Sequence, residues 1–263
     1  MQTADETKFA KQVRTSSLSA WIIVMVFFVL WEVLVRLFKV PVYILPKPSQ
    51  VLVTIGQNVS TYLDGTFVTV GEALCGLFLG MMAGILLASL LTFYPRLEGG
   101  VMTLSILIKS TPLVAIAPLL TLWLGFGVMP KILITALMTF FPVLVNALVG
   151  LQRIDPALVD LFRSWHASRS QIFFYLRVPS SLPQLFAALK ISAPLALIGA
   201  VVAEWTGASG GLGKTMWLAY TNLNLPFLFA AIFILAAIGM LIYWLLNRLE
   251  RLVIFWHSDA QNY

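Results

Sequence analysis

Long apolar stretches alternate with short polar ones along this chain. The runs exceed the length a soluble helix needs, and they show no two-residue alternation. This pattern predicts membrane-spanning helices, not a β-barrel. Six spans are expected: Ala20–Leu37, Thr66–Phe93, Val101–Leu124, Pro130–Leu148, Pro183–Trp205 and Pro226–Leu246. A short, moderately apolar helix over Gln50–Leu63 follows the Pro46-Lys47-Pro48-Ser49 break and is expected at the outer surface. Glu32 and Arg36 stand four apart near the end of the first span, where they can pair.

One stretch between spans is long, polar and helix-forming. Asp155-Pro156 is a helix start, with aspartate as cap and proline at the first helical position. Leu158, Leu161, Phe162 and Trp165 then fall on one face. His166-Ala167 interrupts the pattern. Ser168-Arg169-Ser170-Gln171 reads as a second start, a capping box. This second helix is expected to reach about Arg177 and stop before Pro179. A tight joint at His166 calls for a left-handed residue, so positive φ is expected there at a strain of about 1 kcal/mol.

Composition narrows the class. Sixty per cent of the 263 residues are hydrophobic, 11% are charged and the mean hydropathy is +0.92. Soluble domains carry about 25% charged residues, so this is an integral membrane protein. The net charge of +6 is spread among the spans and gives no nucleic-acid signal. With the N-terminus inside, ten bases fall in inner segments: Lys8, Lys11, Arg14, Arg96, Arg153, Arg163, Arg169, Arg177, Arg248 and Arg251. Five fall outside: Arg36, Lys39, Lys47, Lys131 and Lys214. That bias puts both termini and the 155–179 loop in the cytoplasm. The expected organisation is a cytoplasmic tail over 1–18, one transmembrane domain over 19–253 with its loop at about 151–180, and a tail over 254–263.

Candidate chemistry is sparse. The lone Cys75 excludes an intrachain disulfide. His166 and His257 have neither a nucleophile nor a metal-ligand set near them, so no catalytic residue, cofactor or metal site is assigned. Gly210-Gly211-Leu212-Gly213-Lys214-Thr215 imitates a phosphate loop, but Ala208 breaks the required spacing, and a tight outer turn is the better reading. Gly76, Gly80 and Gly84 share one helix face and permit close approach, as plain packing or as a moving interface. Lys109 and Lys190 lie about 10–13 Å deep from the cytoplasmic side. Intramembrane charges mark pathways or partners, so Lys109, Pro112, Lys190 and Glu204 are the candidate translocation residues.

The 155–179 stretch resembles the cytoplasmic coupling loop, the EAA loop, of ABC importer permeases. Asp160 takes the acidic place, Leu161 and Phe162 the two small places, His166 the place of the glycine, and Val178-Pro179 the closing pair. The flanks R-S-x-x-A-S-R and L-P-Q-L-F-A-A-L-K-I, the Leu45-Pro46-x-Pro48-Ser49 element and the A-S-x-G-L-G outer loop are similar to the family as well. The likeness covers nearly the whole chain. It is nearest to nitrate, sulfonate, taurine and bicarbonate permeases, with pyrimidine, riboflavin and thiamine-precursor importers also similar. It implies an all-α type I importer permease in the bacterial inner membrane. Asp160, Leu161, Phe162, Arg163, Trp165, His166, Ala167, Ser168 and Pro179 would couple to a separate ATPase dimer. An extracytoplasmic binding protein would dock on the outer loops, and a second copy of the chain would complete the pathway. The alternative is a self-sufficient secondary transporter or channel, which would need inverted repeats that the sequence does not display.

Overall fold

The computed structural model describes residues 21–207 and 209–255. The expected tail at 1–18 and residues 256–263, His257 among them, lie outside those residues. Among the described residues every regular element is helical. Helix α1 covers 21–37. It is followed by α2 (Pro48–Gln57), α3 (Val59–Phe93), a 3₁₀ turn (Pro95–Leu97), α4 (Glu98–Ser110), α5 (Leu113–Leu124) and α6 (Val128–Gln152). The remainder is α7 (Pro156–Ser164), α8 (Arg169–Ile172), a π-helical turn (Phe173–Arg177), α9 (Val178–Glu204), α10 (Leu212–Thr221) and α11 (Leu225–Val253).

Among the described residues, four continuous helical runs are long and apolar enough to cross a membrane: Val59–Phe93, Val128–Gln152, Arg169–Glu204 and Leu225–Val253. The span expected over Val101–Leu124 is not one helix. It breaks into α4 and α5, which meet at 90°. The cause is Pro112. Proline pushes its predecessor out of the α region, and Thr111 is extended at φ −75°, ψ 129°. The Thr111 N–H closes α4 on Leu107 and Ile108, and Pro112 then serves as N-cap of α5.

The opposite departure occurs at Pro179. Instead of stopping before it, the helix passes through. Helix interiors reject proline because its ring meets the carbonyl four residues back and because it has no N–H. Here the turn just before it widens to π geometry, with the Val178 N–H bonded to the Phe173 carbonyl. A π-bulge loosens the turn that would otherwise clash. Arg169–Glu204 therefore forms a 36-residue helical run.

Helix α6 packs on both α3 and α9, which also pack on each other through Ala73, Leu77, Ala193, Ala196, Leu197 and Ala200. A Cβ at Gly80 would lie 2.1 Å from Thr139 Oγ1 and 2.5 Å from the Ala136 carbonyl. One at Gly76 would lie 2.4 Å from Thr135 Cβ, and one at Gly84 3.0 Å from Leu144 N. The three-glycine face of α3 is thus a packing face against α6. Gly199 of α9 also approaches Thr135, and Met138, and Gly150 of α6 approaches Ser181 of α9. The α6 hydroxyls that could have been stranded in this contact bond back to their own helix, Thr135 to Lys131 O at 2.9 Å and Thr139 to Thr135 O at 3.0 Å.

Around this trio the other elements are peripheral. Ala88, Leu91, Leu144, Ala147, Leu148, Leu151 and Phe173 form the apolar cluster at the α7 end of the bundle. Val51, Tyr62, Leu212, Ala230 and Ala231 form that at the α10 end. Helix α1 touches the rest through Phe28 and Trp31 against Phe229 and Phe233. The Glu32–Arg36 pair forms at 2.6 Å. Glu32 also accepts from the backbone N and hydroxyl of Ser49 at 3.1 and 2.9 Å, which ties α1 to the start of α2. The helix expected over Gln50–Leu63 ends at Gln57, because Asn58 leaves helical geometry (φ −127°, ψ 33°) and α3 begins at once after it.

Replacing Gly80 by alanine is expected to destabilise the bundle by about 1–3 kcal/mol, since backbone must move to admit the methyl. A methyl at Gly71 would meet nothing within 4 Å, so Gly71→Ala is expected to be neutral or stabilising by up to about 1 kcal/mol. Thermal melting of both variants in detergent checks the contrast, and equal melting temperatures would remove the close-packed glycine face as a stabilising feature.

Candidate functional site

The loop between α6 and α9 folds as its residue types dictate. Asp155 Oδ1 accepts the Ala157 N–H at 2.9 Å, and Pro156 occupies the first helical position. Helix α7 ends at Ser164 with Trp165 as C-cap. Beyond it His166 adopts φ +59°. The His166 N–H bonds to Arg163 O at 2.9 Å, and the Ala167 N–H reaches back to Phe162 O at 3.0 Å. These two bonds define a Schellman motif, whose left-handed position usually holds glycine. Histidine occupies it here, and histidine is among the residues enriched at positive φ. Ser168 then caps α8 with the reciprocal Gln171 contacts at 2.7 and 3.3 Å. The turn expected at His166 is present, and no continuous helix runs through it.

This joint holds α7 away from the bundle. Leu158, Leu161 and Trp165 are exposed, Trp165 by 69%, while Phe162 is half-buried and packs its ring 6.0 Å from that of Trp165. Asp160 and Arg163 pair at 3.3 Å with both side chains about 70% exposed, an arrangement that contributes little stability. The loop is anchored through its second half. Arg177 donates to Leu151 O at 2.7 Å, Phe173 packs 4.8 Å from Phe93, and Gln152 donates to Glu98 at 2.8 Å. Pro179 lies in the first turn of α9 rather than after a helix end.

The four candidate pathway residues do not share one environment. Lys109 sits in the last turn of α4, at the 90° bend, with its ammonium 4.5 Å from the centre of the Phe141 ring. It borders a cavity of about 540 Å³ lined also by Ser105, Phe140, Pro142, Asn146 and Ile191. Pro112 is the residue that makes the bend. Lys190 is not a free cation, because its Nζ lies 2.5 Å from Glu250 of α11. A last span ending at Leu246, as expected from hydropathy, leaves this partner out. In the structure α11 runs to Val253.

Glu204 is 1% exposed and belongs to the packed interior, not to an open route. It accepts from Thr69 Oγ1 at 2.6 Å and from the Gly213 N–H at 2.5 Å, while the Leu212 N–H donates to Thr69 Oγ1 at 2.8 Å. A side chain at Gly211 (φ +109°) would collide with the Glu204 carboxylate. The glycine loop before α10 is therefore wrapped around a buried acid. Alongside lies an ion pair, Lys131 of α6 to Glu72 of α3 at 2.7 Å, with both side chains under 10% exposed. Position along the chain puts Lys131 in an outer segment and Glu72 near the end of a span. Their pairing across 59 residues has no local signal. Helix α10 is likewise hidden in the sequence, where only its glycine-rich start stands out.

Residues 76–255 match the family described as the binding-protein-dependent transport system inner membrane component, and the chain belongs to that family. It is 35% identical over 231 residues to the formylaminopyrimidine transport permease ThiX of Halalkalibacterium halodurans, covering 88% of this chain and 92% of that one. It is 32% identical to the riboflavin transport permease RibX of Chloroflexus aurantiacus, over 98% and 99% of the two chains. The taurine transport permease TauC of Escherichia coli is 28% identical over 88% and 86%. In fold the chain superposes on the inward-facing MetNI methionine ABC transporter with a TM-score of 0.66 at 21% identity, over 75% of this chain and 98% of that one.

The protein is therefore a multi-pass permease subunit of an ABC importer for a small solute, non-catalytic in itself. Family membership decides against the self-sufficient transporter. It implies an ABC ATPase and a substrate-binding protein as partners. Pyrimidine-precursor and riboflavin permeases stand nearer in identity than the nitrate permease of Synechocystis, at 24%, although the sequence resemblance puts the nitrate type first.

His166→Gly is expected to melt within about 1 kcal/mol of the wild type, since relief of left-handed strain is offset by greater unfolded-state entropy. His166→Val, β-branched at positive φ, is expected to lose clearly more. Melting temperatures of the two purified variants test this, and a glycine variant that melts like the valine one would mean that the imidazole itself holds the joint.

Proposed function

We propose that α7 is the surface through which the partner ATPase drives this permease. The observation that carries this reading is the exposed apolar face Leu158, Leu161 and Trp165, held clear of the bundle by a capped turn on each side. Asp160 and Arg163 flank that face, Phe162 and Ala167 supply the carbonyl and amide that lock its end, Ser168 starts the following helix, and Pro179 belongs to the continuous run beyond. The basic residues of the 155–179 loop support a cytoplasmic position for it and for both termini. The binding protein then meets the opposite end, where α2, α10 and residues 209–211 lie. A homodimer completes the route, because α4 and α5 leave apolar faces exposed in one copy, with Leu122 at 78% and Trp123 at 71%.

The route passes the α4–α5 bend. Lys109 and Pro112 border it, whereas Lys190 and Glu204 have roles in holding α9 to α11, α3 and the α10 loop. With Lys190 neutralised by Glu250, the cavity beside Lys109 offers one cation, two phenylalanine rings and the Asn146 amide. That set suits a small organic solute with a planar ring better than a bare inorganic anion, in keeping with the formylaminopyrimidine and riboflavin relatives.

Leu161→Asp is expected to abolish ATP-driven uptake in reconstituted vesicles, either by uncoupling hydrolysis or by lowering the yield of the permease–ATPase complex. Normal uptake with a normal yield would refute α7 as the docking surface.

A cysteine at Lys109 should react with a water-soluble thiol reagent in the inward-facing state and be protected by cargo, while one at Lys190 should show no cargo protection. If Lys109→Cys is inert in every nucleotide state, the bend does not line the route.

A further inference from the structure

A cavity of about 580 Å³ lies between the α7-proximal end of α3 and the loop that carries α7 and α8, separate from the Lys109 cavity. Arg163, Arg169 and Arg177 line it, and none of its lining residues is acidic. Its floor is apolar and buried, with Ile172 8% and Phe173 6% exposed. Each guanidinium presents five N–H donors in a planar fork, and like charges brought together repel unless an anion lies between them. The protein supplies little of that compensation. Arg177 spends one N–H on Leu151 O. Arg163 has only the exposed, long contact to Asp160. The Arg169 guanidinium has no hydrogen bond or ion pair among the described residues. The position of the cavity adds a second observation. Helix α3 is 35 residues long, about 52 Å at 1.5 Å per residue, whereas a bilayer core is about 30 Å thick. Its last turn, Thr92–Phe93, borders the cavity, so the cavity lies at one end of a helix longer than the core is thick.

We propose that this pocket binds a phosphate-type anion, presented by the headgroup of an anionic phospholipid in the cytoplasmic leaflet. The bidentate geometry of guanidinium on phosphate oxygens fits the three-arginine wall, and the apolar floor beside the span fits the start of the acyl chains. Basic pockets between membrane helices on the cytoplasmic side take such headgroups. The placement rests on the orientation proposed above. A lipid held there would bridge α3 to the coupling loop and set the angle at which α7 is offered.

The test titrates the delipidated permease–ATPase complex, and the permease alone, with phosphatidylglycerol or phosphatidylcholine and counts bound lipid by native mass spectrometry. Phosphatidylglycerol should bind saturably and phosphatidylcholine should not. Arg169→Gln, at a residue whose side chain has no protein partner to lose, should weaken phosphatidylglycerol binding about tenfold, the loss of one charged hydrogen-bond pair. Arg251→Gln, at an exposed base outside the cavity, should leave it unchanged. Inorganic phosphate that competes for the site and is itself weakened by Arg169→Gln sustains the anion site and assigns it to soluble phosphate. Unaltered lipid binding by Arg169→Gln overturns the proposal. So does binding seen in the permease alone but lost in the complex, which would give the pocket to an acidic side chain of the ATPase. Orientation is checked separately: Arg169→Cys, made with Cys75→Ala to remove the native thiol, should label only after the membrane is permeabilised, so a misplaced loop and an empty pocket give different results.

Discussion

Between α3 and α6 the backbones meet with almost no side chain in the way, and the remaining packing follows from that contact. A membrane offers no hydrophobic gain for bringing two apolar helices together, so association depends on close van der Waals approach and on internal polar contacts. Gly76, Gly80 and Gly84 provide the approach on α3, while Gly150 and Gly199 repeat it between α6 and α9. Threonines on the contact face of α6 turn their hydroxyls onto their own carbonyls and so present only a methyl to the neighbour. Once α3, α6 and α9 are fixed, the buried acids and the lysine at one end fall within bonding distance, and the 155–179 loop is suspended from the other.

Those buried charges are costly, and their arrangement shows how the cost is limited. An unpaired charge within a bilayer is disfavoured by several kcal/mol or more. Lys131 is matched to Glu72, the half-buried Lys190 to Glu250, and Glu204 accepts from the Thr69 hydroxyl and the Gly213 amide. Removing one partner of a buried pair leaves the other stranded, which is why such pairs hold register even where they add little net stability. Lys109 is the exception at the bend, with an aromatic face in place of a carboxylate.

Much of this is legible in the sequence, because much of it is local. The caps at Asp155 and Ser168, the left-handed joint at His166 and the glycine face of α3 each follow from residues within a few positions of one another. Prolines are harder. Pro112 and Pro179 look alike in one dimension, yet one breaks a span at right angles and the other is absorbed by a π-turn. The difference lies in the turn just before each: ahead of Pro179 it widens to a Val178–Phe173 π bond and stays helical, whereas Thr111 ahead of Pro112 is extended. Pairings across distant spans, such as Glu72 with Lys131 and Lys190 with Glu250, have no signature at all, and an overshort last span conceals the second. The family resemblance locates the coupling loop but does not say that its closing proline leaves no break.

That missing break changes how force travels. From Arg169 to Glu204 the chain is a single shaft of about 54 Å at 1.5 Å per residue, with a widened turn but no joint. One end carries the capped elbow at His166, and the other grips the glycine loop through the Glu204 carboxylate. A flexible link there would let the two ends move independently and would absorb small displacements. An unbroken run ties the two ends together even with Pro183 and Pro194 inside it, so a tilt imposed at the elbow is felt at the far loop. In the coupling proposed for α7, the opening of one mouth of the bundle and the loosening of the other would be two readings of one motion.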